Sequence, residues 1–271
     1  MADQFAIVLE DVSKRYGDGP PVLDGVGLTI ARREFVAIVG GSGSGKTTLL
    51  GMINRLTAPS SGSVLVNGED VTSLDPIALR RRIGYVFQEV GLFPHMTVEE
   101  NIAITPRLLC WPHERIAARV EELLRLVQLE DGFRTRFPAQ LSGGQRQRIG
   151  VARALAAGPE IMLMDEPFAA LDPLTRDSLG QDYRALHEQL GLTSVMITHD
   201  MLEALELGDR IVVLDEGRII AQGGPGELAR HESEFVRRLI DAPRQYAARV
   251  GRLFEQAGDT GQTAAAQGGG R

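Results

Sequence analysis

The sequence predicts an α/β fold built on a parallel sheet, because strand-length apolar segments alternate with longer segments of helical periodicity. The expected strands are short apolar runs bounded by turns rich in Gly, Pro and Asp: 5–9, 27–30, 35–39, 63–66, 161–164, 194–198, 211–214 and 218–221. A further strand is expected at 85–87, before Gln88. Helices are expected over 48–56 and 173–190, and from 98 to about 128, where Pro106 and Pro112 break the pattern.

Composition restricts the classes of protein that the chain could represent. With 271 residues, of which 43% are hydrophobic, it can form one large α/β domain, alone or with a small appendage. Acidic residues outnumber basic ones, 36 to 29, which argues against a nucleic-acid partner. The sequence has no apolar stretch of about 20 residues and no secretory signal at its start, so we expect a cytosolic protein. The single cysteine, Cys110, fits a reducing compartment.

A glycine-rich segment between an expected strand and an expected helix fits the phosphate-binding pattern G-x-x-x-x-G-K-[ST]. Its candidate nucleotide-binding residues are Gly40, Gly41, Ser42, Gly43, Ser44, Gly45, Lys46, Thr47 and Thr48. Lys46 would reach the β and γ phosphates, and the Thr47 hydroxyl would bind Mg²⁺. Only two lysines occur in the chain, Lys14 and Lys46, so a chance match is improbable. The alternative is a glycine-rich turn that only links strand to helix.

A second segment, Leu141-Ser142-Gly143-Gly144-Gln145, precedes a helical pattern and offers small residues at a helix N-terminus. Backbone N–H groups in such a position can bind an anion, although the segment could simply cap the helix. Two carboxylates, Asp165 and Glu166, follow the apolar run 161–164. Asp165 would hold Mg²⁺ and Glu166 would act as general base toward water, the alternative being two acids that cap the next helix.

Together these motifs resemble the ABC (ATP-binding-cassette) ATPase family over roughly residues 5–240, with 141–145 matching its signature sequence. The resemblance implies a P-loop NTPase of the ABC type, with a RecA-like mixed sheet core, an N-terminal antiparallel β subdomain and an inserted helical subdomain at about 89–158. The ATPase domain is expected to span 1–243. The remaining residues, 244–271, form a low-complexity tail that we expect to be disordered.

The resemblance also implies roles for individual residues. ATP and Mg²⁺ would bind, with Gln88 touching the metal and water and His199 bonding the γ-phosphate. A head-to-tail dimer would place the nucleotide of one copy against four residues of the other: Ser142, Gly143, Gly144 and Gln145. Asp172 would lie at the dimer seam. Tyr16 would stack on adenine, although it could be an ordinary packing tyrosine.

The family further implies partners and a location. The expected partners are a second copy of the chain, transmembrane permease subunits and, indirectly, a substrate-binding protein, at the cytoplasmic face of the membrane and without nucleic acid. Segments 84–103 and 225–240 resemble importers of quaternary amines such as glycine betaine and choline.

Three alternatives remain at this point. One is an importer of amino acids, polyamines or lipids, another a non-transport ABC ATPase acting on nucleic acid, and the third a P-loop small-molecule kinase. The histidines outside the motifs are expected to be solvent-facing or in loops: His95, His113, His187 and His231.

Overall fold

The chain divides into two structural units between Gly224 and Pro225. A computed structural model describes the backbone of residues 4–267 and the side chains of residues 4–252. In the first unit, a four-stranded antiparallel sheet has the order β2-β1-β4-β5. Its strands are β1 (Phe5–Arg15), β2 (Pro21–Ala31), β4 (Ser61–Val66) and β5 (Glu69–Asp70).

A second, six-stranded sheet in the same unit has the order β10-β9-β3-β8-β7-β6. Its strands are β3 (Phe35–Val39), β6 (Ile83–Val86), β7 (Ile161–Asp165), β8 (Thr193–Thr198), β9 (Arg210–Asp215) and β10 (Arg218–Gly223). Five strands run parallel, and β10 pairs antiparallel with β9. Every residue of the central strands β3 and β8 is buried, as expected for strands covered on both faces.

Seven helices of the first unit connect or cover these sheets within the described residues. They are α1 (Lys46–Ile53), α2 (Pro76–Arg82), α3 (Val98–Leu108), α4 (His113–Leu126), α5 (Gly143–Leu155), α6 (Pro173–Leu190) and α7 (Met201–Leu207). Helices α3, α4 and α5 pack on one another between β6 and β7 in sequence, and the predicted apolar face of α4 is buried. The predicted fold class, a mixed α/β sheet core with an antiparallel β subdomain and an inserted group of helices, is confirmed.

Helix α1 is held between the two sheets. Leu49, Leu50, Met52 and Ile53 are completely buried, and the helix contacts β2 and β4 of the first sheet and β7 and β8 of the second. Full burial of each such side chain contributes about 1.5–3 kcal/mol. The start of α1 is therefore fixed relative to the carboxyl ends of β7 and β8.

Two expectations about particular residues were wrong. Pro106 does not break the helix but lies inside α3, which ends two residues later at Leu108. His187 is buried, since its Nδ1 lies 2.9 Å from the Ser194 Oγ and its ring packs against Phe35. The reason is its position on α6, whose inner face covers the buried strand β8.

The second unit contains α8 (Pro225–Leu228) and α9 (Glu234–Gln267). It begins at Pro225, earlier than the expected boundary at residue 243, because Gly223 and Gly224 end the last hairpin. The tail expected to be disordered is helical from 244 to 267, and its Ala, Gln, Arg and Glu residues favour a helix. Residues 268–271 lie outside the described part. Within that part, no helix is both long enough and apolar enough to cross a bilayer.

Candidate functional site

The glycine-rich loop joins the buried strand β3 to α1, and its backbone requires glycine at particular positions. A Cβ on Gly40 would lie 2.1 Å from the carbonyl oxygen of Leu214, and one on Gly45 would lie 2.7 Å from that of Val22. Gly45 also has φ of +100°, which side-chain-bearing residues rarely adopt. The loop is thus held between β2 and β9, and no larger residue fits at these two positions.

Three features of this loop and the start of α1 suit a bound anion. Gly45 caps α1 without any side-chain hydrogen bond, so the first N–H groups of the helix have no capping side chain. The neighbouring Ser44 hydroxyl is buried and has no hydrogen-bond partner among the described residues. Lys46 Nζ, also buried, donates to the carbonyls of Gly40 (2.9 Å) and Gly41 (2.8 Å). The donors and the cation converge on one loop, which can hold a polyphosphate.

Asp165 ends β7 beside the start of α1. The Thr47 hydroxyl donates to its Oδ1 over 3.3 Å. Burial raises the pKa of Asp165, whereas the hydrogen bond from Thr47 acts in the opposite direction. Burial likewise lowers the pKa of Lys46, and the carboxylates of Glu166 and Asp165 oppose that effect.

The side-chain oxygens of Thr47 and Asp165 are the kind of ligand that Mg²⁺ binds. Thr47 Oγ1 and Asp165 Oδ1 are hard ligands, and Mg²⁺ typically takes one or two protein oxygens together with phosphate and water. Among the described residues, no group of three His, Cys, Asp or Glu side chains forms a metal-binding cluster. The residues present therefore fit a magnesium ion shared with a phosphate, and not an all-protein metal site.

Glu166 has an unusual backbone conformation that directs its side chain into the site. Its φ is +44°, and its N–H donates to the carbonyl of Ile197 over 2.9 Å, which ties the end of β7 to β8. A non-glycine residue in this region costs about 1–3 kcal/mol. Its Oε2 lies 3.0 Å from Nδ1 of His199 and 3.4 Å from Nε2 of Gln88. Side chains that follow β6, β7 and β8 thus meet at one carboxylate.

The segment 141–145, called here the signature turn, starts helix α5. Ser142 Oγ accepts from the N–H of Gln145, and the Gln145 side chain accepts from the N–H of Ser142, which forms a reciprocal capping box. A Cβ on Gly143 would contact Leu171 at 3.5 Å, and one on Gly144 would lie 2.6 Å from Thr175. The signature turn therefore packs against the start of α6.

Asp172 caps that helix. Its carboxylate accepts from the N–H of Thr175. Hydrogen bonds from the side chain of Thr175 and then from its backbone N–H lower the pKa of Asp172. Residues 169–172, which end at Asp172, are called here the seam turn. Leu171, which a Cβ on Gly143 would contact, lies in this turn.

The predicted site residues fall into two groups. One group meets at the carboxyl edge of the parallel strands: Lys46, Thr47, Gln88, Asp165, Glu166 and His199. The other consists of the signature turn and Asp172 at the start of α6. Tyr16 is 54% exposed, and Lys14 Nζ lies 4.8 Å from the centroid of its ring.

Two arginines near the site were missed by the sequence reasoning. Arg153, on α5, donates to the carbonyls of Val90 and Gly91, each over 2.7 Å. These bonds tie the segment after Gln88 to α5, the helix that begins at the signature turn. Arg176, on α6, contacts the seam turn and Asp200. Neither arginine lies within a motif, and their carbonyl partners leave no trace in side-chain patterns.

The sheet order, the strand–loop–helix unit and the two carboxylates that end β7 define the P-loop nucleoside triphosphatase fold class. Within that class, the sequence model of the ABC transporter family matches residues 23–169. The chain belongs to the ABC transporter family, as predicted from its motifs.

Relatives and solved structures support this assignment. The chain is 50% identical over 242 residues to the glycine betaine/carnitine/choline transport ATP-binding protein OpuCA of Bacillus subtilis, covering 89% of this chain and 64% of the relative. It is 48% identical over 235 residues to the glycine betaine uptake system ATP-binding protein YehX of Escherichia coli, covering 86% and 76%. A dimeric structure of the cassette MJ0796 bound to ADP and phosphate aligns with TM-score 0.73 and 37% identity over 80% of this chain and 98% of that one. The chain thus spans less than two thirds of the Bacillus protein.

Proposed function

We propose that this chain is the ATP-hydrolysing motor subunit of a membrane importer for quaternary amines, bound at the cytoplasmic face of the membrane. The observation that carries the proposal is the convergence of Gln88, Glu166 and His199 beside Lys46 and Thr47, the first residues of α1 after the glycine-rich loop. This arrangement places a general base next to a polyphosphate site.

Binding of the phosphates falls to the glycine-rich loop. The N–H groups at the start of α1 would face the negative charge, and Lys46 would leave the carbonyls of Gly40 and Gly41 for the β and γ phosphates. Thr47 and Asp165, together with Gln88, would hold Mg²⁺, which neutralises charge on the phosphates when bound. The exposed ring of Tyr16 would stack on adenine.

Glu166 would orient and deprotonate the attacking water. Both His199 and Gln88 contact its Oε2, so that two hydrogen bonds fix the orientation of the carboxylate. His199, which is 62% exposed, would also donate to the γ-phosphate. The chain's own residues would thus supply a positioned base for hydrolysis.

The signature turn would act on the nucleotide of a second copy. Helix α5 is 13 residues long, and the exposed Ser142 and the two following glycines present its N-terminal N–H groups. A twofold head-to-tail dimer uses both anion sites of each chain, because each loop is closed by the signature turn of the other copy. Asp172 would lie at the seam between the copies.

Permease subunits would dock beside the segment that follows Gln88. A groove there is lined by Tyr85, Phe87, Phe93, Ile104 and Arg153, and the two phenylalanines are each more than 40% exposed. An apolar groove with a basic edge suits a short amphipathic helix. A substrate-binding protein would deliver the cargo to the permease, as the similarity to betaine and choline transport subunits suggests.

Three measurements test this proposal. Purified chain with Mg²⁺ should release phosphate from ATP, and Lys46→Ala should lose binding of a fluorescent ATP analogue. For the cargo, the chain is reconstituted in liposomes with its permease and substrate-binding protein. Uptake of labelled glycine betaine is compared with that of an amino acid, a polyamine and a lipid. Uptake restricted to one of the other cargoes would refute the quaternary-amine proposal but not the motor.

A further inference from the structure

One arginine joins the seam turn to the segment that follows β8. Arg176 lies in the second turn of α6, and its side chain is 27% exposed. Its Nη2 donates to the carbonyls of Leu171 (3.1 Å) and Ala169 (3.4 Å) in the seam turn. Its Nη1 donates to Oδ2 of Asp200 over 3.2 Å. A single planar group therefore holds the seam turn and the segment that follows β8.

Asp200 is adjacent to His199 and fixes the backbone around it. Its Oδ1 accepts from the N–H of Leu202 and caps α7, while its own N–H donates to the hydroxyl of Thr198 over 3.0 Å. The Thr198 hydroxyl in turn donates to the buried Glu203 over 2.6 Å. Glu203 lies 3.6 Å from Nε of Arg176, which closes the network. Arg176 thus contacts Asp200 directly, and it is linked through Glu203 to Thr198 on the other side of His199.

We propose that Arg176 is a positioning residue that couples the seam turn to His199. This inference rests on the proposed function, in which the seam turn meets the second copy and His199 meets the γ-phosphate. Closure of the dimer would move the carbonyls of Ala169 and Leu171, and the guanidinium would transmit that displacement through Asp200 to the histidine that contacts Glu166. Hydrolysis then depends on the state of the seam without any direct contact between Arg176 and nucleotide.

The chemistry of the contact requires arginine. A guanidinium presents five N–H donors in a fixed plane and can bond two carbonyls and a carboxylate simultaneously, whereas an ammonium is a compact point charge. Arg176→Lys keeps the positive charge near Asp200 and Glu203, but the ammonium cannot bond the seam turn and Asp200 at the same time. The lysine variant therefore separates loss of the link from loss of charge.

The same helix provides a matched control. Arg184 lies eight positions further along α6 and likewise bonds a backbone carbonyl and an aspartate, those of Leu207 (2.9 Å) and Asp209 (2.7 Å). It also bonds Glu188 on its own helix (2.9 Å). Its side chain is 27% exposed, as is that of Arg176. It ties α6 to the far end of α7, away from His199. Arg184→Gln therefore reports what such an arginine contributes to stability alone.

Two assays are used: steady-state ATP hydrolysis, and thermal unfolding of ligand-free and nucleotide-bound protein. The variants are Arg176→Gln, Arg176→Lys, Arg184→Gln, Asp200→Asn and the double variant Arg176→Gln/Asp200→Asn. Arg176→Gln should lower kcat about 10- to 100-fold with KM for ATP changed less than about threefold. Arg176→Lys should recover the melting temperature but not kcat. Arg184→Gln should keep kcat within about twofold of the wild-type value, and the double variant should lose no more kcat than the Arg176 variant alone.

His199→Ala distinguishes the possible failures. If His199→Ala is inactive but Arg176→Gln keeps wild-type kcat, the coupling is wrong and the proposed function stands. If Arg184→Gln loses as much kcat as Arg176→Gln, the effect is general destabilisation and the coupling is again refuted. Full activity of His199→Ala would overturn both the role of His199 and the coupling that acts through it.

Discussion

The Nδ1 atom of His199 lies 3.0 Å from Oε2 of Glu166, and this contact joins the ends of two neighbouring parallel strands. Glu166 holds this position with a backbone φ of +44°. A strained residue at the centre of a side-chain cluster points to a function that outweighs the cost in stability. The role of the carboxylate can be tested by an isosteric change.

We expect Glu166→Gln to retain ATP binding and to lower turnover about 100-fold or more, because the amide cannot accept a proton from water. ATP that is bound and not hydrolysed should then hold two copies together. The measurement is phosphate release together with light scattering of the eluting protein in the presence and absence of ATP.

Glu160→Gln is the control, since Glu160 precedes the same strand β7 at its opposite end and pairs with Arg32. It should keep wild-type turnover. Undiminished hydrolysis by Glu166→Gln would exclude Glu166 as the general base.

Ser142→Ala removes one half of the capping box at the start of α5 and should lower the free energy of unfolding by about 1 kcal/mol. In the Glu166→Gln background it should also weaken the ATP-dependent dimer, because Ser142 faces the nucleotide of the second copy in the proposed function. Unfolding in urea and the ATP concentration needed for dimerisation are the two readouts.

Helix α3 supplies a control of the same chemistry. Thr97 and Glu100 form a capping box there, and Thr97→Ala should cost similar stability. In the Glu166→Gln background, Thr97→Ala should leave the ATP concentration needed for dimerisation unchanged. Equal effects of the two substitutions on the dimer would remove the nucleotide-binding role of the signature turn.

Much of the fold and site could be predicted from sequence because local patterns encode them. The loop after β3 follows a spacing pattern, and α6 was predicted with its observed bounds, Pro173–Leu190. Most of the expected strands lie within observed ones but are too short, and β5 was not expected. Strand β1, for example, runs from Phe5 to Arg15, whereas the apolar run ends at Leu9. Its second half consists mainly of polar residues paired with β2 and β4 through backbone hydrogen bonds, which hydrophobic periodicity does not reveal.

What could not be predicted depends on tertiary contacts. The left-handed conformation of Glu166 is imposed by its bond to Ile197 in β8. Arg176 bonds carbonyl groups, whose positions carry no side-chain signature. His187 is polar and was expected in solvent, yet the hydroxyl of Ser194 provides a buried partner. In each case the deciding group lies on another element of the fold.

Gly144→Ala should lower the free energy of unfolding by about 1–3 kcal/mol, since its Cβ would lie 2.6 Å from the Cγ2 of Thr175. Thr175→Ser removes that methyl group, so the double variant should recover most of the loss. Gly143→Ala, whose Cβ would make an ordinary 3.5 Å contact with Leu171, should cost little. Chemical denaturation of the wild-type protein and these four variants checks this. No recovery in the double variant would mean that the clash with Thr175 is not the cause.

Loss of folding stability at acid pH should arise in part from His187. Burial lowers its pKa below the ordinary 6.5, and the nearby Arg184 acts in the same direction, while Asp209 opposes the shift. The folded protein therefore keeps the imidazole neutral, while the unfolded chain takes up a proton as the pH falls through about 6.5. Stability that is present above this pH is lost below it, with a slope of at most about 1.4 kcal/mol per pH unit from one group.

His187→Gln removes the titration while retaining an amide that can bond Ser194. At pH 7.5 the variant should be less stable than the parent, because it loses the ring contact with Phe35. That difference should shrink as the pH falls to 5.5, since only the parent is destabilised by protonation of the unfolded chain. Urea unfolding at several pH values measures it, with the exposed His113→Gln as control. A difference that stays constant over this range would show that burial of His187 does not suppress its protonation in the folded state.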